Sequence, residues 1–163
     1  YKKFWTDERI SKAAQVGLSQ SEVSILASIV QAEQSRKLDE QPTIAGLYLN
    51  RLNKKPWPMR LESDPTLVFA HGDFSITWVK DKHKEIDSPY NTYKNDGLPP
   101  GPINMPSKSA LDAVLNYEKH DYIFMCAKPE TGGYHNFAKT YSQHLVYARE
   151  YQKWNREQHK NKS

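Results

Sequence analysis

One glutamate stands where its own helix asks for an apolar side chain. In the stretch SQSEVSILASIVQAEQSR, residues 19–36, Val23, Leu26, Ala27, Ile29 and Val30 recur at helical spacing. At about 100° per residue, they and Ile25 cover one broad apolar arc. Glu33 falls inside that arc, in line with Leu26 and Val30. Burial disfavours the charged form of a carboxylate, raises its pKa and keeps it protonated near neutral pH. A carboxyl held in that state is a general acid. The competing reading is structural: the helix ends, and Glu33 turns to water or pairs with a Lys or Arg. Glu62 and Asp64, in LESDPT, are the candidate partners, because a glycosidase usually works with two carboxylates. Neither is misplaced as Glu33 is. Asp64-Pro65-Thr66 also reads as a helix N-cap followed by proline at the first helical position.

Other chemistries find little support. The six histidines, at positions 71, 83, 120, 135, 144 and 159, form no HExxH and no close ligand pair, so no metal is expected. His135 and His144 alone would make a weak site. No Gly-rich loop is built to cradle a nucleotide or a pyridoxal phosphate, so no cofactor is expected. No serine sits on a GxSxG elbow. Cys126, the single cysteine, lies in the apolar run YIFMCA and reads as a buried thiol. The net charge of +4 is spread along the chain without a dense basic block, so nucleic acid is not expected as a partner.

What remains is carboxylate chemistry on a neutral polymer. A single dominant carboxyl suits a reaction in which one group serves twice. It protonates a glycosidic oxygen, then accepts a proton from an internal nucleophile. In a muramic acid residue the C6 hydroxyl can be that nucleophile, which yields a 1,6-anhydro product without water. The spacing permits this route and does not choose it over hydrolysis.

The elements that must position Glu33 follow from the pattern. Residues 1–16 predict an amphipathic lead-in helix that ends near Gly17. Ser19 and Glu22 form a capping box for the Glu33 helix. Pro42 starts a third helix, whose apolar face is Ile44, Ala45, Leu47, Tyr48 and Leu52, with Asn50 and Arg51 near its end. A short connection makes the two helices antiparallel and brings Arg51 near the start of the Glu33 helix or over the same cleft. A short helix ends at Gly72. Residues 73–89 read as a polar flap of low order. Tyr90, Asn91, Thr92 and Tyr93 sit in a Pro/Gly-rich loop. Such a loop offers flat apolar faces and paired donors and acceptors for sugars. It also reads equally well as a loop packed by its own aromatics. A helix over 107–117, a hairpin of strands 122–127 and 134–138, and a polar helix from 140 to about 158 complete the chain. Tyr141, Leu145, Ala148 and Tyr151 of that last helix are expected inward, and residues 159–163 frayed. The fold class is α+β: a mostly helical domain around a short antiparallel hairpin, with long Pro/Gly-rich ordered loops.

The strings ILASIVQAE, IAGLYLNRL, LESDPT, YNTY followed by GLPPGPI, and GGYHNFAKT, in this order, resemble the MltG-type (YceG-like) endolytic murein transglycosylases. The resemblance runs from about residue 23 to about residue 151. It implies lytic cleavage of the MurNAc–GlcNAc bond within peptidoglycan strands, leaving 1,6-anhydromuramyl ends. The family helix commonly carries two glutamates separated by one residue. Here the first is Gln31, and Glu33 remains as the acid and base. Carried over as groove or loop positions are Asn50, Arg51, Ser63, Asp64, Thr66, Tyr90, Asn91, Thr92, Tyr93, His135 and Phe137. Glu62 joins them where the family often has Gln.

The length of 163 residues suits one domain over 1–163, with 1–18 as its lead-in, and the resemblance implies that it is catalytic. That domain would be part of a longer protein anchored in the bacterial inner membrane by a segment absent here. It would work on the extracytoplasmic side on peptidoglycan strands, beside cell-wall synthases. Two rival readings are a hydrolase using Glu33 with Glu62 or Asp64, and a non-catalytic peptidoglycan-binding module.

Overall fold

The computed structural model describes residues 3–162. Six helices and one hairpin follow the expected order: α1 (Asp7–Val16), α2 (Gln20–Glu33), α3 (Gln41–Leu52), α4 (Asp64–His71), α5 (Lys108–Leu115), β1 (Phe124–Ala127), β2 (His135–Ala138) and α6 (Tyr141–Lys160). The fold is therefore α+β.

Local chemistry explains most boundaries. The Ser19 hydroxyl accepts from Glu22 N–H at 3.1 Å and the Glu22 carboxylate accepts from Ser19 N–H at 3.0 Å, so the capping box forms as predicted. α1 begins only at Asp7, because Thr6 caps it; of the residues predicted helical before it, Tyr1 and Lys2 lie outside the described residues. Gly17, with φ of 87°, closes that helix in the left-handed region. α2 stops at Glu33 rather than Arg36, since Gln34 leaves helical geometry at φ −148°, ψ 89°. The cap of α4 is Ser63, not Asp64; Asp64 takes the first helical position. The flap at 73–89 carries a 3-10 turn, Asp81–Glu85.

α2 lies at the centre. Val23, Leu26, Ala27, Ile29 and Val30 are each at most 0% exposed and pack with Ile44 and Leu47 of α3 and Val114 of α5. Gly46 lets α3 meet the chain before the hairpin: a Cβ there would lie 2.3 Å from the Glu118 carbonyl oxygen. The hairpin is antiparallel, with Phe124 opposite Ala138 and Ala127 opposite His135. α6 crosses this hairpin and buries no residue completely. Leu145, Ala148 and Tyr151 are only half-buried, and Tyr141 is 61% exposed, against the inward placement predicted for all four. The helix also continues through His159 and Lys160, which were expected to fray. Among the described residues no helix is long and apolar enough to cross a membrane.

Candidate active site

Glu33 is the last residue of α2 and lines a cleft of about 280 Å³. The end of the helix turns it out of the core without freeing it. Its Oε1 accepts from the Tyr48 hydroxyl at 3.0 Å and from the Ser63 hydroxyl at 3.1 Å. Burial pushes the carboxyl above the ordinary carboxylate value of 4.5, against the pull of these two hydroxyls and of the nearby His135; the negative charge of Asp64 adds to the rise. Tyr48, 2% exposed, has its own hydroxyl pushed well up by burial and then by Glu33, so it stays a donor.

Ser63 is aimed by a small polar lock. Its N–H donates to Thr92 Oγ1 at 2.9 Å, and its carbonyl accepts from Thr66 Oγ1 at 2.6 Å. The two threonine hydroxyls share a bond of 2.8 Å. Just before Ser63, Glu62 holds φ of 49°, a left-handed conformation that costs a non-glycine residue on the order of 1 kcal/mol. That turn puts the Glu62 side chain at the cleft, 3.9 Å from Arg51 Nη1. Arg51 itself is anchored to the carbonyls of Ile123, Arg60 and Leu61. Asp64 accepts from the Tyr93 hydroxyl at 2.5 Å, and both residues face the cleft.

The predicted positions thus divide. Glu33, Arg51, Glu62, Asp64 and Tyr93 line the cleft. Ser63 reaches it through Glu33. Thr66 and Thr92 lie behind Ser63. Asn91, fully buried, holds the loop by donating to the carbonyls of Lys84 and Ile86. The Tyr90 ring packs on Phe69 at 4.8 Å. Asn50 donates to the carbonyls of His120 and Tyr122 and so fixes the approach to the hairpin. His135 meets Glu40 at 2.5 Å, and Phe137 packs near Tyr122 at 5.7 Å; neither residue lines the cleft. Gln31 turns away from it, bonding to Met105 O and Ser107 N, so a carboxylate at that position would not reach Glu33's place.

Sequence reasoning missed Tyr48 as a polar group and missed the far wall of the cleft: Phe124 and Met125 of β1, and Tyr141 and His144 of α6. For Tyr48 there was a signal. A tyrosine on a buried helix face needs a partner for its hydroxyl, and a misplaced carboxylate on the neighbouring helix needs a donor.

A partly aromatic cleft on a helical frame beside a small hairpin thus carries three carboxyl groups, of which Glu33 is the buried one with a raised pKa. The chain belongs to the YceG-like family, whose pattern matches residues 1–150. It is 43% identical over 119 residues to the endolytic murein transglycosylase of Bacillus subtilis, covering 73% of this chain and 31% of that protein. With the endolytic murein transglycosylase of Streptococcus pneumoniae it shares 36% identity over 119 residues, covering 71% of this chain and 21% of that protein. The crystal structure of a YceG-like protein from Listeria monocytogenes superposes with a TM-score of 0.75 at 37% identity, over 85% of this chain and 43% of that one. The chain therefore spans less than half the length of each of these relatives.

Proposed function

We propose that this chain is the catalytic domain of an endolytic peptidoglycan lytic transglycosylase, with Glu33 as general acid and then general base. The protonated Glu33 gives its proton to the glycosidic oxygen as the bond from the MurNAc anomeric carbon to GlcNAc breaks. The MurNAc C6 oxygen attacks that carbon, and its hydroxyl proton passes to the Glu33 carboxylate. The carboxyl is restored, no water is consumed, and the products are a GlcNAc hydroxyl and a 1,6-anhydroMurNAc end. Tyr48 and Ser63 hold Glu33 in place and stabilise the carboxylate formed between the two transfers.

The observation that carries this reading is the burial of Glu33. Burial raises its pKa, and its Oε1 bonds only to hydroxyls, while the two other cleft carboxylates are engaged elsewhere, Asp64 by Tyr93 and Glu62 beside Arg51. The names of the relatives point to the same reaction. Glu62 and Asp64 do face the cleft, and this keeps a two-carboxylate hydrolase as the second reading. Product analysis on purified peptidoglycan strands separates the two: anhydro ends support the lytic route, and reducing muramic ends would replace it. The same proposal places the parent protein at the extracytoplasmic face of the inner membrane, anchored there by a segment outside this chain and working beside cell-wall synthases.

A further inference from the structure

The far wall of the cleft is built from residues with no assigned role. Tyr141 and His144 lie one helical turn apart at the start of α6, and both line the cleft that holds Glu33. The His144 ring stacks on Phe124 with centroids 5.2 Å apart and planes 23° apart. Phe124 is fixed in turn by the Arg51 guanidinium, 5.5 Å from its centroid. Tyr141 completes the cluster at 5.7 Å from Phe124 and leaves most of its ring free.

His144 is unusual among the polar groups here. Its Nδ1 is sealed from solvent and has no hydrogen-bond partner among the described residues. A neutral imidazole carries one hydrogen. Placing it on the sealed nitrogen would bury an orphan donor, so the hydrogen belongs on Nε2. Burial, and then the Arg51 charge, lower the pKa of the ring and keep it neutral at neutral pH. The result is one fixed donor on an aromatic wall, with no acceptor among the described residues to satisfy it.

We infer that Tyr141 and His144 form a saccharide subsite, in which the tyrosine face stacks on a sugar ring and His144 Nε2–H donates to an N-acetylhexosamine, at its acetamido carbonyl or a ring hydroxyl. The inference rests on the proposed glycan substrate. The aromatic surface suits sugar C–H faces, and one unspent donor suits a neutral, acceptor-rich ligand better than an anion.

The test uses peptide-free GlcNAc–MurNAc oligomers. Steady-state cleavage is followed in the otherwise unaltered chain, and binding in the Glu33→Gln background. His144→Phe keeps the stacking on Phe124 and removes the donor; it should raise KM about tenfold with kcat within about twofold, as expected for one lost hydrogen bond to a bound ligand. His144→Gln should recover most of that loss. Tyr141→Ala, at an exposed position, should raise KM by a similar factor without moving the melting temperature. The same rises should appear in Kd. Wild-type values of KM and Kd in both His144→Phe and Tyr141→Ala would overturn the subsite while leaving the proposed function standing. If His144→Phe melts early, Tyr141→Ala alone decides. Oligomers that the unaltered chain neither binds nor cleaves would overturn the proposed function and the subsite together.

Discussion

Glu33 and Glu40 flank the same short connection between α2 and α3, and both are withdrawn from water, yet the structure treats them in opposite ways. Glu40 is 7% exposed and saturated. It accepts from His135 Nδ1 at 2.5 Å, from His135 N–H at 3.0 Å and from Gln34 Nε2 at 3.0 Å. Burial alone would raise its pKa, but these donors outweigh burial and hold it below the ordinary carboxylate value. Among the described residues Glu33 receives only the two hydroxyls of Tyr48 and Ser63, and burial wins. Burial does not make an acid; burial with too few donors does. Gln34 links the two, since it follows Glu33 in the chain and its side chain bonds both Glu40 and the Gly133 carbonyl. The saturated carboxylate thereby fixes the end of the helix that presents the unsaturated one.

The sharpest way to break this contrast is to neutralise each carboxylate in turn. Glu33→Gln should lower the rate of anhydromuramyl end formation by about 10³-fold, within the usual range for losing a general acid, with the fold intact by circular dichroism. A variant that still cleaves at the wild-type rate would sink the assignment of Glu33. Glu40→Gln should act on stability instead. Removing one partner of a buried pair leaves the other uncompensated and costs on the order of 3 kcal/mol. The measurement is the urea midpoint. Activity corrected for the folded fraction should fall far less than in Glu33→Gln.

Tyr48→Phe takes away the stronger of the two donors to Glu33. Because that bond pulls the carboxyl pKa down, its loss should let the pKa rise further. The proposed mechanism starts from protonated Glu33, so on that reading activity falls as pH rises through its pKa. In Tyr48→Phe that alkaline limb should move to higher pH, and kcat on the acid-side plateau, where Glu33 is fully protonated, should drop about tenfold, as expected from one lost bond to a charged group. A limb that stays in place would show that Tyr48 does not set the proton affinity of Glu33.

How much of this was legible in the sequence depends on the range of the signal. The Ser19–Glu22 box, Pro42 at the start of α3 and the misplacement of Glu33 are patterns within one helix, and the chain carries them openly. Ser63 and Asp64 differ by a single position before Pro65, and the pattern favoured Asp64 as the cap; in the structure Asp64 is the first helical residue and its carboxylate accepts from the distant Tyr93 hydroxyl. Asn91 and Thr92 looked like sugar-binding groups because an amide or hydroxyl that suits a sugar suits a backbone equally well. Both are buried and hold the loop and Ser63. The wall formed by Phe124, Tyr141 and His144 was invisible for another reason. It exists only because α6 folds back across the hairpin, a contact that no local periodicity records.

The smallest effect expected is a difference in sign, and it tests the contrast directly. The folded-state pKa of Glu33 is raised, so its contribution to stability is fully present below its unfolded value of 4.5 and is lost as pH rises through the folded value. Glu40 has a lowered pKa, so its contribution is present above 4.5 and is lost as pH falls through the folded value. Glutamine titrates in neither state. Relative to wild type, Glu33→Gln should therefore gain stability as the pH is raised from acid to neutral, because it escapes the cost of charging a buried carboxyl. Glu40→Gln should lose stability over the rise, because it forgoes the bonded carboxylate. Urea midpoints of the three proteins at a series of pH values give the two difference curves. Curves that run in opposite directions mean that donor count, not burial, separates the two carboxylates. Parallel curves would mean that both respond to burial alone, and Glu33 would lose its distinction as the residue built to hold a proton.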